Sequence, residues 1–140
     1  MLPRKRIRQD HGQDLVETAL TLPLLLMLLF GIVEFGRVIF VYNSLSNAAR
    51  EGARYAIIHP ASVSLTRCVD AGPSDTIVLA ACASTQGLPQ DMVEVQVSTP
   101  SGAVRVVVTG VVQLFFGPII QAFGGSGTVT LPASATMQIE

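Results

Sequence analysis

The apolar positions fall into two regimes along the chain. From Leu15 it reads LVETALTLPLLLMLLFGIV, and residues 18–33 form an uncharged run of 16 residues, about 24 Å long at the helical rise. Extended back to Leu15 or on through Phe35, the run reaches the roughly 30 Å of a hydrocarbon core. The pattern predicts a single transmembrane helix over 13–35, and no second run has that length. Beyond it Phe35, Val38, Tyr42, Leu45, Ala49, Gly52 and Ala56 recur at alternating intervals of three and four, a narrow helical seam that packs against one surface. Asn43, Asn47, Arg50 and Arg54 lie opposite. The helix is therefore expected to continue through 36–58, and its small residues Ala48, Ala49, Gly52, Ala53 and Ala56 permit close approach by a sheet or another helix.

His59 and Pro60 end this helix, and 61–72 reads as a loop. Ser74 or Asp75 is placed to cap a short helix, TIVLAACAST, which stops at Gly87 ahead of Pro89. From there the period changes to two. Val93, Val95 and Val97 alternate with Glu94, Gln96 and Ser98, Pro100-Ser101-Gly102 forms a turn, and 103–115 makes a long, mostly apolar strand. In the last strand Val129, Leu131, Ala133, Ala135, Met137 and Ile139 share one face, with Thr128, Thr130, Ser134, Thr136 and Gln138 on the other. The expected fold is α+β: a long N-terminal helix, transmembrane in its first half, packed on a small three- to four-stranded antiparallel sheet. Residues 59–140 form the extramembrane domain, with a cysteine-bearing loop and short helix ahead of the strands.

Composition agrees with this division. The 140 residues are 49% hydrophobic and 14% charged, with a mean hydropathy of +0.51, whereas soluble domains carry about 25% charged residues. Such a balance argues against an ordinary soluble enzyme and against a disordered chain. The net charge of −1 is a cancellation: residues 1–12 hold Arg4, Lys5, Arg6 and Arg8 against Asp10, giving +3, and the rest holds five arginines against nine carboxylates, giving −4. The four basic residues before the apolar run outnumber Arg37 and Arg50 after it. The positive-inside rule then predicts a cytoplasmic leader at 1–12, a single pass through the inner (cytoplasmic) membrane and an extracytoplasmic C-terminal domain. A removable secretory signal would need a small-x-small site after the run, which VEFGRVIF lacks. Basic residues are not interleaved with aromatics and Trp is absent, so nucleic acid is not an expected partner.

Few residues carry candidate chemistry. Glu17 lies inside the apolar start, where a charge costs on the order of 2 kcal/mol or more; it either snorkels to the cytoplasmic headgroups or meets a partner. Pro23 removes one backbone donor and frees the carbonyl of Ala19, which bends a helix or is tolerated within a membrane. Glu34 and Arg37, three apart, can pair at the outer membrane boundary, as can Glu51 and Arg54 farther out. Cys68 and Cys82, both on the outer side, can close a disulfide loop of about 15 residues, contributing about 3 kcal/mol. Metal ligation by these two cysteines and His59 lacks the close ligand pairs that zinc sites favour. The motifs GxSxG, HExxH and the phosphate loop are absent. Neither an enzyme, a cofactor, a metal nor a small-molecule substrate is expected. The link LFFGPIIQAFGGSG is strongly apolar; it either covers the open end of the core or forms a contact patch for a partner or membrane.

The stretch HGQDLVETALTLPLLLMLLFGIVEFGRVIFVYNSLSNAAREGARYAI resembles the TadE-like family, minor pilins or pseudopilins of the tight-adherence (Tad, Flp-type) branch of type IV pili. Gly12, Glu17 five residues beyond it, Pro23, FGIVEFGR and NAAREGARYA carry the resemblance. It implies a pilin-like fold and cleavage between Gly12 and Gln13 by a membrane-embedded prepilin peptidase, with Glu17 the fifth residue of the product. It further implies that Glu17 sets register by neutralising the new α-amino group of a neighbouring subunit, and that Pro23 marks where the helix loosens on packing. The implied function is that of a processed, membrane-anchored minor pilin acting with other pilins in a Tad-type pilus, in adhesion, biofilm formation or secretion. The competing expectation is an uncleaved, signal-anchored extracytoplasmic binding module that is not part of a pilus.

Overall fold

A computed structural model describes residues 10–59, 64–85 and 87–139. The chain divides into two units, Met1–Gly36 and Arg37–Glu140. Residues 1–9 of the expected leader, Pro60 and the start of the following loop lie outside the described residues.

Helix α1 (Asp10–Ile58) is 49 residues long and contains Pro23. Residues 10–36 of it are richest in Leu, eight of the 27, a good helix former. Its apolar side chains point outward all round: Leu15, Leu20 and Leu24 are each 71% exposed. A helix apolar on every side needs apolar surroundings. It is the one helix among the described residues that is long and apolar enough to cross a membrane.

In the second unit, residues 37–58 of α1 lie on a four-stranded antiparallel meander, β1 (Ser64–Arg67), β2 (Val93–Ser98), β3 (Ala103–Gln113) and β4 (Thr128–Gln138). Val41, Leu45, Ala48, Ala49, Ala53 and Ala56 of α1 are buried. The small residues let the helix backbone approach closely: a Cβ on Gly52 would stand 3.1 Å from Ala81 Cβ and 3.2 Å from Val106 Cγ1. The buried stripe departs from the expected seam: Val41 points inward, whereas Tyr42 is 48% exposed and Phe35, at the expected start of the seam, is exposed as well. Burial follows a stripe broader than the strict three-four spacing, shifted toward Val41, Ala48 and Ala53.

Val93, Val95 and Val97 of β2 meet Val104, Val106 and Val108 of β3 in the core beneath α1. Helix α2 (Thr76–Ala83) adds Ile77, Val78, Ala81 and Cys82. In β4 the expected alternation holds, but only Ala133 is fully buried, because β4 is an edge strand. Its Pro132, opposite Thr109, suits an edge, where a missing backbone donor costs least.

Four local features depart from the sequence expectation. The loop 61–72 contains β1, which pairs with β2 from Ser64↔Val97 to Arg67↔Glu94. The apolar link contains a short helix, α3 (Gly117–Ala122), so β3 ends at Gln113. Asp75 stands at the N-cap of α2, yet its carboxylate turns back to accept the Gly72 N–H at 3.0 Å instead of capping the helix. Glu51 and Arg54 are exposed and form no ion pair among the described residues.

Candidate functional site

The first group of sequence-marked residues lies on the opening turns of α1. Gly12 and Gln13 are exposed there, and nothing lies within 4 Å of a Cβ built on Gly12. Glu17 is exposed one turn farther on. The Thr18 hydroxyl donates to the Asp14 carbonyl at 2.8 Å, and the Thr21 hydroxyl donates to the Glu17 carbonyl at 2.9 Å. These threonines return their hydroxyls to their own helix, which satisfies them in an apolar setting. The Glu17 carboxylate has no such partner among the described residues and remains available outward. Two residues past Thr21, Pro23 withholds the backbone donor that Ala19 would otherwise receive.

Residues 12–54 match the family model described as TadE-like protein. Over this segment the chain is similar to TadE-like proteins. The match opens at Gly12 and takes in Gln13, Glu17, Pro23, Glu34 and Arg37, the residues marked from the sequence on this helix. No curated protein and no solved structure matches the chain.

The later part of the matched segment contributes to a cleft in the second unit. Arg37, Phe40 and Val41 of α1, Leu88 and Met92, and Val112 of β3 are among the residues around its roughly 390 Å³. Its walls are mostly apolar. Arg37 is fixed at its edge: the guanidinium donates to the Gln113 carbonyl and lies 5.5 Å from the centre of the Phe115 ring, a cation–π distance. Sequence reasoning assigned Arg37 a role at the membrane boundary but not this tie to the far end of β3. No sequence pattern signals a contact across 76 residues.

Cys68 and Cys82 are joined in a disulfide with their Cα atoms 5.7 Å apart. The bond ties the turn after β1 to α2. Both sulfurs are thereby occupied, and His59 stacks on Tyr55 with ring centroids 4.4 Å apart, so the alternative of a Cys68, Cys82 and His59 metal site is set aside. Among the described residues no group of three or more His, Cys, Asp or Glu stands close enough to hold a metal ion.

Proposed function

We propose that this chain is a membrane-anchored minor pilin or pseudopilin that works in the assembly or function of a Tad-type pilus. The observation that carries the reading is the TadE-like match over residues 12–54, which begins at Gly12 and takes in the all-round apolar part of α1. In this account the leader is cytoplasmic, the helix crosses the inner membrane once, and the disulfide-bearing domain is extracytoplasmic. The disulfide suits an oxidising compartment, and the basic leader suits the cytoplasmic side.

The mechanism follows from the cost of charge in lipid. A prepilin peptidase cuts between Gly12 and Gln13, in the first turns of α1, where glycine weakens the helix and presents no side chain to the protease. Removal of the +3 leader releases the cytoplasmic charge anchor. The new α-amino group at Gln13 is a cation, and Glu17 of a neighbouring subunit neutralises it inside a helix bundle, where either charge alone is costly. The ion pair therefore sets the axial register between subunits. Pro23 leaves one carbonyl without its helical donor, so the helix loosens there as packing between helices replaces lipid contacts. Glu34 and Arg37 mark the outer membrane boundary.

Deleting the gene from cells that make a Tad pilus, and restoring it on a plasmid, tests the reading. Pilus assembly or pilus-dependent adhesion is lost on deletion and returns with the wild-type chain. Undiminished piliation and adhesion without the chain contradict it.

A further inference from the structure

The link between β3 and β4 carries no charged residue from Leu114 to Gly127, and its fold sorts its side chains into two sets. Leu114, Phe116 and Ile120 are half-buried. Phe115, Ile119 and Phe123 point outward, exposed by 75%, 57% and 88%. The backbone holds this arrangement closed. Leu114 N–H donates to the Gly127 carbonyl at 2.9 Å, and Gly125 N–H to the Ile120 carbonyl at 2.9 Å. Gly117 and Gly127 meet backbone to backbone, since a Cβ on Gly117 would stand 2.9 Å from the Gly127 carbonyl oxygen. A closed, hydrogen-bonded loop thus presents three large apolar side chains to its surroundings, a patch of the kind that marks an interaction surface.

Its place along the chain identifies the surroundings. Gln113, the last residue of β3, accepts a hydrogen bond from Arg37, whose guanidinium also lies beside the Phe115 ring. Arg37 directly follows Gly36, where the unit containing the membrane helix ends. One hydrogen bond and one peptide bond therefore tether the link to the exit of that helix. Phe40, on the same cleft as Arg37 and Gln113, is a further 65% exposed. A bilayer surface held so near by covalent connection is present at high effective concentration.

We propose that the α3 link is a second membrane contact of this chain. Phe115, Ile119 and Phe123 enter the boundary between headgroups and acyl chains of the leaflet at the Gly36 end of the helix, and Arg37 sits at headgroup depth. The occupant of the patch is lipid. The inference rests on the reading of 13–35 as a membrane span but not on cleavage or on the pilus.

The chain has no Trp, so single tryptophans report position without background. Phe123→Trp, Ile119→Trp, Thr99→Trp in the turn at the opposite end of β3, and Leu26→Trp within the span are each placed in the full chain. They are reconstituted in phosphatidylcholine vesicles with or without bromine on the upper acyl chain or near its end. Bromine near the chain end quenches the Leu26→Trp variant if the helix spans the bilayer; failure there rejects the span itself. With the span intact, upper-chain bromine quenches Phe123→Trp and Ile119→Trp several-fold more than Thr99→Trp, with blue-shifted emission. Water-like, unquenched emission at both link positions overturns the proposal. So does blue-shifted emission that bromine leaves unquenched, which assigns the patch to a second copy of the protein. Retention of the disulfide and of the helical circular dichroism checks folding, and Ile119→Trp decides if Phe123→Trp misfolds.

Discussion

Leu45 of α1 occupies the space that a side chain on Gly110 of β3 would fill. A Cβ built on Gly110 would stand 2.9 Å from Leu45 Cδ1 and 3.1 Å from Cδ2, and Leu45 is fully buried. The glycine interrupts a strand of valines and so weakens it locally, but it opens the socket that locks the helix onto the sheet. Gly110→Ala is therefore expected to destabilise the extramembrane domain by about 1–3 kcal/mol through overpacking. Leu45→Ala empties the same socket and is expected to cost about 2–5 kcal/mol. Denaturant titration of the full chain in detergent measures both. An unchanged midpoint for Gly110→Ala would show that α1 does not seat on β3 in this way.

The Cys68–Cys82 bond closes a short loop across 14 residues and anchors β1, which has few apolar side chains of its own. Replacing both cysteines by alanine is expected to lower stability by about 3 kcal/mol, the loop-closure entropy restored to the unfolded chain. Reducing and non-reducing gels of the native protein, with thiol labelling, show the bond directly. Equal mobility together with labelling of both thiols would contradict it.

Glu17 is exposed on α1, and neither its helix nor any other described residue engages its carboxylate. Glu17→Ala is expected to leave the protein inserted and stable, because a costly charge is removed from an apolar segment. The same change is expected to abolish incorporation into the pilus machinery. Membrane fractionation paired with a piliation assay separates the two effects, and normal piliation by the variant would remove Glu17 from the mechanism.

Much of this fold was legible where a strong period met a deep core. The alternation of Val93, Val95 and Val97 against Glu94 and Gln96, and that of β4 from Val129 to Met137, reappear in the burial pattern, while Ile139 falls beyond the strand and is exposed. The small residues from Ala48 to Ala56 anticipated close packing of α1 against its neighbours. What escaped had little side-chain signal. Strand β1 is four residues long, with Leu65 62% exposed; its place depends on backbone pairing with β2 and on the adjacent disulfide. Helix α3 is too short for a 3.6 period to register, though Pro118 in its first turn and Gly124 beyond its end, at φ 84°, are the usual start and stop residues. Tyr42 and Val41 exchanged roles because the core under α1 is wider than one seam. For the candidate residues, chain order placed Gly12, Glu17 and Pro23 on one segment, whereas the tie from Arg37 to Gln113 is a tertiary contact that no local pattern encodes.

In the proposed mechanism the chain is cleaved after Gly12 and works without its leader. Intact-mass spectrometry of the protein extracted from membranes of cells that contain a prepilin peptidase tests this most directly. The expected product is a chain beginning at Gln13, lacking the segment that carries Arg4, Lys5, Arg6 and Arg8, with the full-length mass found only in cells without the peptidase. A chain that keeps residues 1–12 in the presence of the active peptidase would contradict the account and favour an uncleaved, membrane-anchored binding module.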